Sequence, residues 1–383
     1  MLTLIKNCYI ISPDLELENS AVLLENGTIK TVFPDTNAAP VVDKVIDAEN
    51  QLVAPGFIDV HCHGKAGYDF TDASQEAIDT IGTAKLAEGV TSLLPTTLTL
   101  PEEQLAAALE NAANYVKNDV KGCRLPGVHL EGPFINVNCA GAQNPAYVRV
   151  PDIEEVKRLH AIFPVSKVSF APEVEGGIEF SRELREIGVT PSCVHSAAKY
   201  CEFEAAHNHG MRDLSHFCNQ MTPLHHRDIG LVGAGLMHND VFIECICDTM
   251  HICPDMINLI FNLKDIERIQ LITDAMRAAG MPDGDYEIGG LPVMVKDGAA
   301  RLTSNGALAG STLQLNDALK NVYDITALPL AELIKTTSWN QAQSLGLEKF
   351  GKIEAGFAAD IVILNDDFKP VTTIVDGEIR FKA

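Results

Sequence analysis

The chain has 383 residues, 46% hydrophobic and 21% charged, which is enough apolar material for a large buried core and rules out a disordered or fibrous chain. Lys and Arg number 29 against 52 Asp and Glu, a formal charge of −23. That balance excludes a general nucleic-acid binder and a polybasic membrane anchor, which need exposed cations, but not an anionic small molecule held in a locally positive pocket.

The N-terminal stretch MLTLIKNCYIISPDLELE lacks a secretory pattern, because Lys6 and Asn7 break its apolar run. The first fifty residues read as short strands, with a tight turn at Glu25-Asn26-Gly27. The last thirty repeat the pattern, with DIVILNDD, VTTIVDGEIRF and a turn at Asp376-Gly377. Strands at both ends predict one small β-domain built from 1–54 and 353–383, a β-sandwich, around a larger unit over 55–352.

The middle alternates. Apolar runs recur at 56–60, 91–95, 127–130, 167–171, 188–194, 213–215, 241–246 and 269–272. Helical patterns such as SQEAIDTIGTAKLAEG, PEEQLAAALENAANYVKN, DIEEVKRLHAIF and SRELREIG lie between them. Buried strands separated by helices predict an α/β fold, a TIM-like (β/α)8 barrel. An open doubly wound sheet would carry a Gly-rich phosphate loop after its first strand, where His61-Cys62-His63-Gly64 stands instead. No run approaches the ~20 apolar residues of a membrane span. The ten cysteines are scattered and read as reduced thiols of a cytoplasmic protein; Cys245, Cys247 and Cys253 lack the spacing of a soft metal site.

Chemistry gathers where the apolar runs end. The first runs into His61 and His63, the third into Glu131, the fifth into His195, the sixth into His216 and the eighth into Asp274. In a barrel the C-terminal strand ends share one face, so these residues would meet although far apart in the chain. Residues i and i+2 of a strand point the same way, so His61 and His63 can serve one ion. Imidazole and carboxylate suit zinc, and also iron, manganese, cobalt or nickel. Each residue alone has an ordinary structural reading; their coincidence at five strand ends predicts a metal site. His129 shares the face of Glu131 and could support it, whereas His160, His207 and His209 sit in helical stretches as solvated residues.

These stretches resemble the amidohydrolase superfamily, and within it the N-acetylglucosamine-6-phosphate deacetylases. The matching segments are APGFIDVHCHG, LPTTLT, GVHLEGPF, VHSAA, SHFCNQMTPLHHRDIG, DTMHI, ITDAM, LAGST and GKIEAGFAADIVILN, in order along nearly the whole chain. The resemblance implies hydrolysis of the acetamide of N-acetyl-D-glucosamine 6-phosphate to the amine sugar phosphate and acetate. It implies Glu131, His195 and His216 as metal ligands, His61 and His63 as the extra pair of two-metal members, and Asp274 as the catalytic acid–base. One or two divalent ions per chain follow. Ala142, Gln143, Asn219, Gln220, Arg227, His251, Leu308, Ala309 and Gly310 match substrate-binding positions, and the family pattern implies a homodimer. Two departures fall on the substrate side. Gln143 stands where the family often has a histidine, and Gln220 where a small residue is usual. An N-acetylgalactosamine 6-phosphate is therefore an alternative substrate. Amidohydrolases acting on cyclic amides or N-acyl amino acids often use a carbamylated lysine at the end of the fourth strand, and KVSFAPE has none there.

Overall fold

A computed structural model describes residues 2–42, 44–118 and 120–383. Eight parallel strands occupy the predicted runs: β1 Phe57–Cys62, β2 Val90–Pro95, β3 Val128–Glu131, β4 Val165–Phe170, β5 Thr190–Cys193, β6 Asp213–Leu214, β7 Phe242–Cys245 and β8 Ile269–Leu271. Strands β3 to β8 form one curled six-stranded sheet in chain order, and β1 pairs with β2. Single parallel bridges join Thr96 to His129, between β2 and β3, and Cys62 to Ala275, between β1 and the end of β8. The strands are covered on both faces, which is why they read as continuous apolar runs.

Helices follow the strands and pack one face inward. In Glu102–Lys117 the buried residues are Leu105, Ala108, Leu109, Ala112 and Tyr115, spaced at the helical period. Caps set the starts: the Ser74 side chain accepts from the Ala77 N–H at 3.1 Å, and Asp152 from Glu154 at 2.9 Å.

Both chain ends build one further sheet. Strands Leu2–Ser12, Leu15–Glu25, Thr28–Phe33, Lys44–Asp47 and Leu52–Pro55 join Ile361–Leu364, Pro370–Val375 and Glu378–Lys382. The seam is the antiparallel pair Leu52–Pro55 with Ile361–Leu364. Ile5, Ile10, Val22, Val53, Ile361, Ile363 and Ile374 give this unit a core of its own.

One element was not anticipated from the sequence. Gly284–Ile288, Leu291–Lys296 and Ala299–Leu302 form a three-stranded antiparallel sheet after β8. Its two-residue turns, Gly289-Gly290 and Asp297-Gly298, have positive φ at both positions, as tight hairpins require. The alternation of LPVMVK and the Asp-Gly dipeptide were its signals. No helix among the described residues is long and apolar enough to cross a membrane.

Arg124 ties the terminal sheet to the barrel. Its Nη2 lies 3.3 Å from Asp360 Oδ1 and 2.5 Å from Asp376 Oδ1. Burial raises the Asp360 carboxyl above its ordinary range even though Arg124 opposes this. Arg124→Met would leave that buried carboxylate without its cation, at a cost of about 1–3 kcal/mol. A lower urea midpoint is expected; an unchanged one would show that the pair is not a structural tie.

Candidate functional site

The C-terminal strand ends deliver their polar side chains to one cavity of about 210 Å³. Its lining includes His63, Glu131, His195, His216 and Asp274, with Ala142, Gln143, Asn219, Gln220, His251, Leu308 and Gly310 on the outer wall. His61 lies just beneath, fully buried. His195, His216 and Asp274 each take positive φ, at 43°, 33° and 49°, two or three residues past their strands. L-residues adopt that conformation at a cost, and such positions cluster where a side chain must be aimed.

Glu131 is the hub. Its Oε1 lies 3.1 Å from His216 Nε2, 3.4 Å from His61 Nε2 and 3.5 Å from His195 Nε2. Its Oε2 lies 3.2 Å from His63 Nε2. Asp274 Oδ1 sits 3.2 Å from His63 Nε2 and 3.6 Å from His61 Nε2.

Each imidazole is tethered at its far side. Nδ1 of His63 faces Thr96 O at 3.2 Å, that of His195 faces Cys139 O at 2.8 Å, and that of His216 faces Asn219 O at 3.1 Å. His61 Nδ1 faces Glu244 Oε2 at 2.9 Å. Carbonyl and carboxylate oxygens only accept, so each Nδ1 carries the hydrogen and the Nε2 atoms converge on Glu131.

The electrostatics match that convergence. Burial alone would raise the Glu131 carboxyl, but His61, His195 and His216 hold it well below its usual range. Burial opposes charge on His63, yet Asp274 and Glu131 push it up to about 10. Two buried carboxylates thus call for positive charge at this spot. His61 Nε2 and Glu131 Oε1 are buried without a hydrogen-bond partner. Two donor groups, His61–His63–Asp274 and Glu131–His195–His216, each lie within 4.8 Å. Orphaned donors, mixed N and O ligands and an unmet demand for cations fit divalent metal ions.

Further residues shape the site. Gln143 accepts from the Thr99 N–H at 2.7 Å, and its Nε2 donates to Glu131. His129 packs its ring edge-on against His61, with centroids 4.6 Å apart, and its Nε2 meets Ser169 Oγ at 2.6 Å. His251 is held by Asp248, Nδ1 to Oδ2 at 2.6 Å.

Two predicted substrate residues stand outside the cavity wall. Arg227 is exposed, with Nη1 2.8 Å from His226 Nε2. Ala309 is fully buried behind Leu308 and Gly310. Ile288, at the end of the missed sheet's first strand, and Ala307, in the loop after its last, line the cavity without having been anticipated. Glu244 and Lys167 were missed too; their signal was a charged residue inside an apolar run. His207 is not simply solvated: with His238 and Asp240 it forms a third donor group on the outside. There Asp240 already meets His207 at 3.0 Å and Arg212 at 2.9 Å, so its donors are satisfied.

Residues 52–380 match the Amidohydrolase family model. The chain is 36% identical over 382 residues to N-acetylglucosamine-6-phosphate deacetylase of Lysinibacillus sphaericus, covering 99% of this chain and 98% of the other. It is 36% identical over 366 residues to N-acetylgalactosamine-6-phosphate deacetylase of Escherichia coli O157:H7, covering 95% of each. The crystal structure of N-acetylglucosamine-6-phosphate deacetylase from Thermotoga maritima superposes with TM-score 0.90 at 35% identity, covering 99% of this chain and 100% of that one. Likeness of this extent supports a TIM-like barrel with a separate domain.

Gly132 follows Glu131 at φ 70°, and a Cβ there would stand 2.3 Å from Thr99 Oγ1. Gly132→Ala is expected to cost about 1–3 kcal/mol through that left-handed backbone and to disturb the Glu131 carboxylate. Chemical denaturation together with bound-metal content checks this; wild-type values for both would show that the loop relaxes freely.

Proposed function

The chain belongs to the amidohydrolase family, and from that premise we propose that it hydrolyses the acetamide of N-acetyl-D-glucosamine 6-phosphate, releasing acetate and D-glucosamine 6-phosphate. The observation that carries the reading is the buried Glu131 carboxylate encircled by four imidazole Nε2 atoms, with Asp274 beside them. The full-length similarity to deacetylases of this substrate class supports it.

Glu131, His195 and His216 would hold one divalent ion, and His61, His63 and Asp274 would hold a second. Zinc suits this donor set; iron, manganese, cobalt or nickel are the other choices. A bound ion supplies Lewis acidity, polarising the amide carbonyl and acidifying water. Asp274 takes a proton from the attacking water and delivers it to the amide nitrogen, which cannot leave as an anion. Gln143, oriented by the Thr99 N–H, presents its amide beside the reacting carbonyl. Asn219 and His251 face the sugar phosphate. Lys167, on β4, is buried and paired with Asp213 at 2.6 Å, which argues against a carbamylated-lysine amidohydrolase.

The two-part architecture completes the reading: a (β/α)8 barrel over 55–352, and a β-sandwich from 1–54 and 353–383. No Lys or Arg lines the cavity among the described residues. Arg227 would therefore reach the phosphate across a homodimer interface, from its exposed loop. Free cysteines throughout the described chain suit the cytoplasm. A second reading, N-acetylgalactosamine 6-phosphate as substrate, is favoured by Gln143 and Gln220 and by the galactosamine-type relative.

Acetate release should be measured across N-acetylhexosamines with and without the 6-phosphate, on metal-defined enzyme. Turnover confined to phosphorylated sugars is expected, and none on any of them would sink the substrate assignment. Asp274→Asn should retain the fold and the ion at Glu131, His195 and His216 while losing ~10²–10⁴-fold in kcat, the weight of a general acid–base. Near-normal kcat would move that role elsewhere.

A further inference from the structure

Strand β7 reads Phe242-Ile243-Glu244-Cys245, a carboxylate inside an apolar run and fully buried. An ion there costs several kcal/mol unless it is met on all sides. One oxygen, Oε1, meets the Lys167 ammonium. The other, Oε2, takes the His61 Nδ1–H at 2.9 Å and the His216 backbone N–H at 3.3 Å. Lys167 is shared with Asp213 at 2.6 Å. Asp213 is itself fastened by Ser192 Oγ at 3.1 Å, Gln270 Nε2 at 3.0 Å and Ser344 Oγ at 2.9 Å. A continuous chain, Asp213–Lys167–Glu244–His61, therefore runs through the barrel interior and ends on a ring of the cation site. A single lysine is shared by the two carboxylates, and the Glu244 oxygen that it does not meet faces His61.

His61 differs from the other three imidazoles in this respect. His63, His195 and His216 rest their Nδ1–H on neutral backbone carbonyls. His61 alone rests on a carboxylate, which binds the N–H more tightly and makes the opposite nitrogen a stronger donor.

We propose that Glu244, fixed by Lys167, is a positioning residue that aims His61 Nε2 and sets the cation affinity of the His61–His63–Asp274 position, leaving the Glu131–His195–His216 position largely independent. This rests on the two-cation reading above. His216 keeps its own side-chain tether to Asn219 O, so loss of the Glu244 carboxylate falls first on His61.

Metal-stripped protein titrated with cobalt(II), followed by d–d absorption and metal analysis, tests it. The wild type should take two ions per chain. Glu244→Gln leaves Lys167 paired with Asp213, so the interior charges balance. It should bind the first ion with unchanged affinity and the second ~10–100-fold more weakly. Glu244→Asp, which keeps the charge but draws it back from His61, should show the same selective loss and serves if the Gln variant does not fold. Two-ion uptake by the wild type with either variant's second affinity unchanged, or both affinities falling together, overturns the inference alone. Uptake of a single ion by the wild type overturns the two-cation reading and the inference with it.

Discussion

A carboxylate that water cannot reach must be met by cations or donors, and the site is arranged around how Glu131 is met. It is 1% exposed, and its oxygens face imidazole Nε2 atoms from β1, β5 and β6. Those rings point inward only because their far nitrogens are fastened to Thr96, Cys139 and Asn219 carbonyls and to Glu244. The positive φ at His195 and His216 is part of the same constraint, since an extended continuation of either strand would carry the ring elsewhere.

Beneath this layer the interior is ionic to an unusual degree. Lys85 meets Asp59 at 2.9 Å and Lys65 meets Glu88 at 2.5 Å, all four groups buried. Asp59 also accepts from Thr273 Oγ1 at 2.6 Å, one residue before Asp274. Buried pairs of this kind add little net stability, because desolvation offsets attraction, but an arrangement that separates them is penalised heavily. They therefore define where Asp274 and His61 stand. The surplus acidity of the chain has no bearing on that interior balance and belongs to solubility.

Much of the architecture was legible in the sequence. Continuous apolar runs mark strands covered on both faces, and each of the eight predicted runs overlaps a barrel strand. Residues at the ends of those runs were legible for the same reason, because strand polarity places them on one face. What escaped notice was polar and interior. Glu244, Lys167 and Asp213 look like interruptions of apolar runs, and nothing in a linear pattern says that Lys167 pairs with residues 46 and 77 positions away. The sheet at 284–302 was hidden differently: one face is exposed, so its strands alternate, as Leu291–Lys296 does, instead of forming the continuous apolar runs that mark the barrel strands.

The sequence by itself determined the α/β rhythm, the β character of both chain ends, and the identity of the groups that converge at the strand ends. These follow from local periodicity, which depends on near neighbours alone. Only the tertiary structure decided that four Nε2 atoms meet one carboxylate, that Gln143 is turned toward it by the Thr99 N–H, and that Arg227 stands on the surface, outside the cavity. Those outcomes depend on distances between segments far apart in the chain, set by how the barrel curls and by which buried charges must be paired.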